Sequence, residues 1–121
     1  MLARKLTTLG ALGMIAIGVA GTIAPQECAS GYGIDADDAN ALAYVRAAAV
    51  RDAAIGLILL RAAKRGGKKD LRTALACAAL VPLADMTIVA LRTGDPRRLS
   101  MHAAGLAGIA AVWALALFGE S

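Results

Sequence analysis

The chain has 121 residues, 59% of them hydrophobic and 18% charged, with a mean hydropathy of +0.64. That is too short for two ordinary domains and too apolar for a soluble one, and it places the chain among membrane proteins. The net charge of +4 comes with only Tyr32, Tyr44, Trp113 and Phe118 as aromatic residues, too few to stack bases or sugars. The implied partner of that charge is a lipid bilayer and not nucleic acid.

Four hydrophobic stretches follow, at about 6–24, 41–63, 71–91 and 101–118. Each is close to the roughly 20 residues that carry a helix across a ~30 Å hydrocarbon core. They are rich in Ala and Leu and lack period-2 alternation, and a lone sheet would leave backbone groups unpaired in lipid. The expectation is a single all-α domain over 1–121, an integral membrane four-helix bundle. Pro25 cannot continue the first helix, and residues 26–40 form a polar loop with Gly31, Gly33, Asp35, Asp37 and Asp38, whose acids can cap the second helix. KRGGKK at 64–69 is a glycine stop and a basic turn, after which Asp70 can cap the third helix. Gly94, Asp95 and Pro96 precede the fourth, which starts either at Pro96 or after Ser100.

Orientation follows from the placement of Lys and Arg. Leaving out Arg46 and Arg51 within the second helix, eight (Arg4, Lys5, Arg61, Lys64, Arg65, Lys68, Lys69, Arg72) fall on the side of the N-terminus and second loop, and three (Arg92, Arg97, Arg98) on the other. That asymmetry predicts a plasma (inner) membrane protein with both termini cytoplasmic. Arg4 and Lys5 before an apolar run, with Gly18 and Ala20 as a small-x-small pair, also fit a cleaved secretory signal, which would leave three spans. The run is nearer a full span than a signal core, so it is read as an uncleaved helix. Cys28 and Cys77 fall toward opposite ends, which implies neither a disulfide nor a metal pair.

Charges inside the spans carry the functional information. The second helix contains Tyr44, Arg46, Arg51 and Asp52, and the third contains Asp85 one turn after Pro82; such residues cost several kcal/mol in lipid unless paired or wet. At ~1.5 Å per residue, Arg46 lies roughly 9 Å and the Arg51–Asp52 pair roughly 16–18 Å below the outer end, with Asp85 about 10 Å down and His102 in the first turns of the last helix. These depths allow a chamber opening outward, with Arg51, Asp52 and Asp85 inside, Tyr44 on its wall, His102 near the mouth and Glu27 at the rim. Arg46 and Arg51 balance Asp52 and Asp85, as burial at low dielectric requires. Small residues at packing spacing, Ala16 with Ala20 and Ala104 with Gly108, would let the helices close around it.

Two carboxylates in different surroundings are the usual means of acid/base work at neutral pH. Asp52 and Asp85 would act on a lipophilic small molecule, by isomerisation, cyclisation or epoxide opening, with Arg51 orienting, His102 assisting, and Tyr44, Arg46 and Glu27 as ligand contacts. The same residues also admit a noncatalytic reading, in which two Arg–Asp pairs staple the helices of an accessory subunit beside a membrane partner chain or a second copy. One histidine and no CxxC argue against a transition metal, GGKK lacks the phosphate-loop pattern, and no cofactor is implied.

YVRAAAVRD at 44–52, the GLILL run at 56–60, the basic turn, VPLAD at 81–85, the histidine opening the last helix and GYGI at 31–34 together resemble the small membrane family catalogued as domain of unknown function 4267. The resemblance covers most of the chain and implies the four-helix fold; it implies no activity.

Overall fold

A computed structural model describes residues 1–119, and all regular structure among them is helical: α1 Leu2–Ile23, α2 Pro25–Tyr32, α3 Ala39–Arg65, α4 Lys68–Arg92 and α5 Pro96–Phe118. The four expected long helices correspond to α1, α3, α4 and α5. The count of four is corrected to five by α2, a two-turn helix inside the segment expected to be a polar loop. Its signals were present: a proline suits the first position of a helix as well as it ends the preceding one, and Gly33 closes α2 at φ 108°, a conformation that favours glycine.

Three of the helices, α3, α4 and α5, begin where a side chain satisfies a free amide. The Asp38 carboxylate accepts from the Asn40 and Ala41 amides, each at 2.9 Å, and Asp95 accepts from Arg97 at 2.9 Å with Pro96 in the first position. The last helix therefore starts at Pro96, and Ser100 lies inside it, donating to the Arg97 carbonyl at 2.8 Å. Asp70 reaches back to the Gly67 amide at 2.8 Å from within the first turn of α4, so that helix starts two residues before Asp70. Two arginines cap helix ends from a distance, where carbonyls are free and the helix dipole favours a cation. Arg4 donates to the carbonyls of Ala62, Ala63 and Gly66 at the end of α3 at 3.3, 2.9 and 2.8 Å, and Arg98 donates to Gly31 at the end of α2 at 2.6 Å.

α1 packs along α3, and α4 along α5, as the two most extensive pairs. The first pair meets backbone to backbone. A Cβ on Gly18 would lie 2.5 Å from the Ala49 carbonyl oxygen and 2.6 Å from the Ala53 Cβ, and one on Gly56 would lie 2.8 Å from the Ala11 carbonyl oxygen. Small residues do hold these helices close, but not the ones spacing suggested, because Ala16, Ala20, Ala104 and Gly108 are all exposed. Spacing identifies a stripe without saying which stripe is covered; on α1 it is the one through Ala3, Thr7, Ala11, Gly18 and Gly21.

The apolar core lies toward the α3–α4 turn, where Ala11, Leu59, Leu71, Leu75 and Ala78 join Ala116 of α5. The opposite end, beneath α2, is polar. Three helices, α1, α4 and α5, are long and apolar enough to cross a membrane. Each leaves large apolar side chains such as Ile17, Leu80 and Phe118 exposed, more than a water-facing surface of this size carries. α3 is the longest at 27 residues, but Arg46, Arg51, Asp52 and Arg61 interrupt its apolarity.

Candidate functional site

Asp85 is the centre of the polar end. It lies on the covered side of α4, three residues after the buried Pro82, and is only 8% exposed. Helices α2, α3 and α5 each bring one group to its carboxylate. The Tyr32 hydroxyl, at the last position of α2, donates to Oδ1 at 2.9 Å. The Arg51 Nη2 of α3 is 3.9 Å from Oδ1, and the His102 Nδ1 of α5 is 3.9 Å from Oδ2. A carboxylate oxygen has more than one lone-pair site, so one acid can gather several donors.

The donors are themselves held. Tyr32 and His102 pack ring against ring with centroids 4.7 Å apart and a tilt of 59°, a favourable edge-biased geometry for aromatic rings. The His102 Nε2 lies 3.3 Å from the Tyr32 carbonyl oxygen. Arg51 spans its neighbours: it donates to Asp52 Oδ1 through Nε at 3.0 Å and Nη2 at 2.8 Å while facing Asp85. Burial first, then the hydrogen bond to Asp85 and its charge, push the Tyr32 hydroxyl well above the usual tyrosine range, so Tyr32 remains a donor.

Arg51, Asp52, Asp85 and His102, all singled out from the sequence, are thus brought together. Arg51 reaches Asp85 by the length of its side chain. The expected two-by-two charge balance becomes one arginine serving two carboxylates, because Arg46 points the other way and its Nε donates to the Thr22 carbonyl of α1 at 3.3 Å. Tyr44 is not on the wall of the cluster: it is 79% exposed. The seven-residue spacing does put it on the stripe of Arg51, but that stripe is an edge, where the Arg51 side chain is itself 44% exposed. Glu27 sits in the first turn of α2, exposed, where an acid complements the free amides of a helix start.

Tyr32 is the member that residue-by-residue reading missed. Nothing in the GYGI segment marks it for this role, and a polar loop offers no element to lower the phenol onto Asp85, as α2 does. Among the described residues, no group of three or more His, Cys, Asp or Glu is placed to hold a metal ion.

Fold and cluster together define a small all-helical protein with three membrane-length apolar helices and a tyrosine–carboxylate–arginine–histidine cluster at one end. Residues 11–117 match the family described as Domain of unknown function (DUF4267), and the chain belongs to that family. No curated protein and no solved structure matches it.

Proposed function

We propose that the chain is a small integral membrane protein that holds the polar end of a lipophilic small molecule at the Asp85 cluster and carries out acid/base chemistry on it. The observation that carries this reading is the asymmetry of the two carboxylates. Asp85 is enclosed by donors from three other helices, whereas Asp52, two bonds of the same network away, keeps a side chain 21% exposed beside a half-open Arg51. Nonpolar packing through small residues already suffices to hold such a bundle, and a buried ion pair adds little stability, so the network is more than the fold requires.

In the hydrolytic version of this chemistry, Asp52 takes a proton from water as the water oxygen bonds to an epoxide carbon. The C–O bond breaks, and the departing oxygen receives a proton from the acid form of Asp85. Isomerisation or cyclisation would use the same pair to remove one proton and return another. Arg51 orients Asp52, and Tyr32 and His102 position Asp85.

One observation favours the noncatalytic alternative: among the described residues no buried side-chain nitrogen or oxygen lacks a partner, as expected of a finished staple. Native mass spectrometry of the detergent-purified protein beside Asp52→Asn separates the two. A small lipophile that co-purifies with the wild type and is lost in the variant supports the proposal and supplies the compound to assay. An empty wild-type monomer, or one carrying another polypeptide, overturns it in favour of the accessory-subunit reading.

A further inference from the structure

A second polar feature lies at the opposite end of the molecule, outside the Asp85 cluster. Between the start of α4 and the end of α5 is an open cleft of about 270 Å³, lined by Lys69, Arg72, Thr73, Ala76, Trp113 and Leu117. Lys69, Arg72, Thr73 and Ala76 follow at helical spacing on one face of α4, and Trp113 and Leu117 are one turn apart on α5. Trp113 meets α4 at Arg72 and Gly119 meets it at Lys68, so Leu117 lies beside Lys69 at the basic end, and Trp113 with Ala76 forms the apolar wall beyond the two cations and the hydroxyl. The indole Nε1 donates to the Arg72 carbonyl at 3.1 Å, which fixes the Trp113 ring as a wall. Among the described residues no carboxylate pairs with Lys69 or Arg72.

We propose that this cleft is a binding site for an anionic phospholipid, with the phosphate between Lys69 and Arg72 over Leu117 and the upper acyl chain against Ala76 and Trp113. The chemistry is that of the ligand: a phosphate attached to a hydrocarbon meets cations attached to an apolar wall. A tryptophan near the end of a spanning helix belongs at the membrane–water interface, which is the depth of a headgroup. The inference rests on the membrane-protein reading but not on the role of Asp85.

Trp113 is the only tryptophan, so its fluorescence reports this cleft alone. The protein is reconstituted in phosphatidylcholine vesicles that contain either dibrominated phosphatidylglycerol or dibrominated phosphatidylcholine as quencher, and insertion is checked by flotation. The expected result is preferential quenching by the anionic lipid, with a relative binding constant of at least about fivefold, the size of effect one cation exerts on an anionic lipid. The preference falls to near unity in Lys69→Gln/Arg72→Gln and is retained in Lys64→Gln/Arg65→Gln, which removes the same charge from the adjoining turn outside the cleft. Equal quenching by both lipids overturns the site, as does an equal loss of preference in both double variants, which would mean diffuse attraction by the basic end. A chain that does not float with the vesicles overturns the membrane reading as well, whereas one that floats and shows no preference overturns the cleft alone.

Discussion

At Asp85, charge and hydrogen bonding can be separated by substitution. Asp85→Asn removes the charge that faces Arg51 yet leaves an oxygen able to accept from Tyr32, so the fold should survive while the proposed ligand and chemistry are lost. Asp85→Leu deprives the Tyr32 hydroxyl of its acceptor, and an unsatisfied buried donor costs about 1–3 kcal/mol. Thermal unfolding in detergent should rank the three proteins wild type, Asn, Leu; an Asn variant that cannot be recovered folded would assign the network to the staple. Tyr32 adds a pH dependence. Its folded form holds the phenolic proton more tightly than the unfolded chain, in which tyrosine titrates near pH ~10. Its stabilising contribution is therefore fully present below about pH 10 and is lost as the pH climbs toward the folded value. Tyr32→Phe should flatten the alkaline fall in unfolding temperature, and a wild-type-like fall in that variant would place its origin elsewhere. Most of this cluster was legible in the sequence because a charged or polar group in an apolar span announces itself: Arg51, Asp52, Asp85 and His102 needed only depth and helical phase. Tyr32 was not, since a tyrosine in a glycine-containing segment carries no such anomaly.

At the scale of the helices, glycines that look alike in the sequence differ in consequence. Gly18→Ala places a methyl group 2.5 Å from a backbone oxygen of α3, which cannot yield without moving the helix, whereas a Cβ at Gly10 or Gly105 meets nothing within 4 Å. Overpacking of this kind costs about 1–3 kcal/mol, while alanine improves an exposed helix position by up to ~1 kcal/mol. Circular dichroism melts should therefore show Gly18→Ala destabilised and Gly10→Ala and Gly105→Ala neutral or stabilised; equal melting of all three would mean that α1 and α3 do not cross at Gly18. The long helices were legible from their apolar length, and their starts at Asp38 and Asp95 from caps. The crossing partners were not, because whether α1 buries Gly18 or Ala20 is decided by Ala49 and Ala53 of α3, about thirty residues further along the chain, and not by the local pattern. α2 escaped because its eight residues are too few to show an apolar period.

Across the whole molecule, polarity is divided between the two ends. The apolar core and the basic residues of 61–72 lie at one end, and the Asp85 cluster, capped by α2 and the acids of 35–38, lies at the other. Basic segments resist translocation and acidic ones contribute little to orientation, so the 64–69 turn should stay in the cytoplasm and the cluster should open to the outside. The orientation matters for the proposed chemistry, since it would fix the side from which a lipophile and water reach Asp52. Alkaline phosphatase, active only outside the cytoplasm, is a suitable reporter when inserted into each connection in turn. Insertion at Asp37 should give an active enzyme and insertion at Gly66 an inactive one. The reverse pattern would turn the molecule over: Arg92, Arg97 and Arg98, together with Arg46 at the α1 end, would then be the residues that set topology. The Asp85 cluster would face the cytoplasm, and its ligand would have to be sought among cytoplasmic lipophiles.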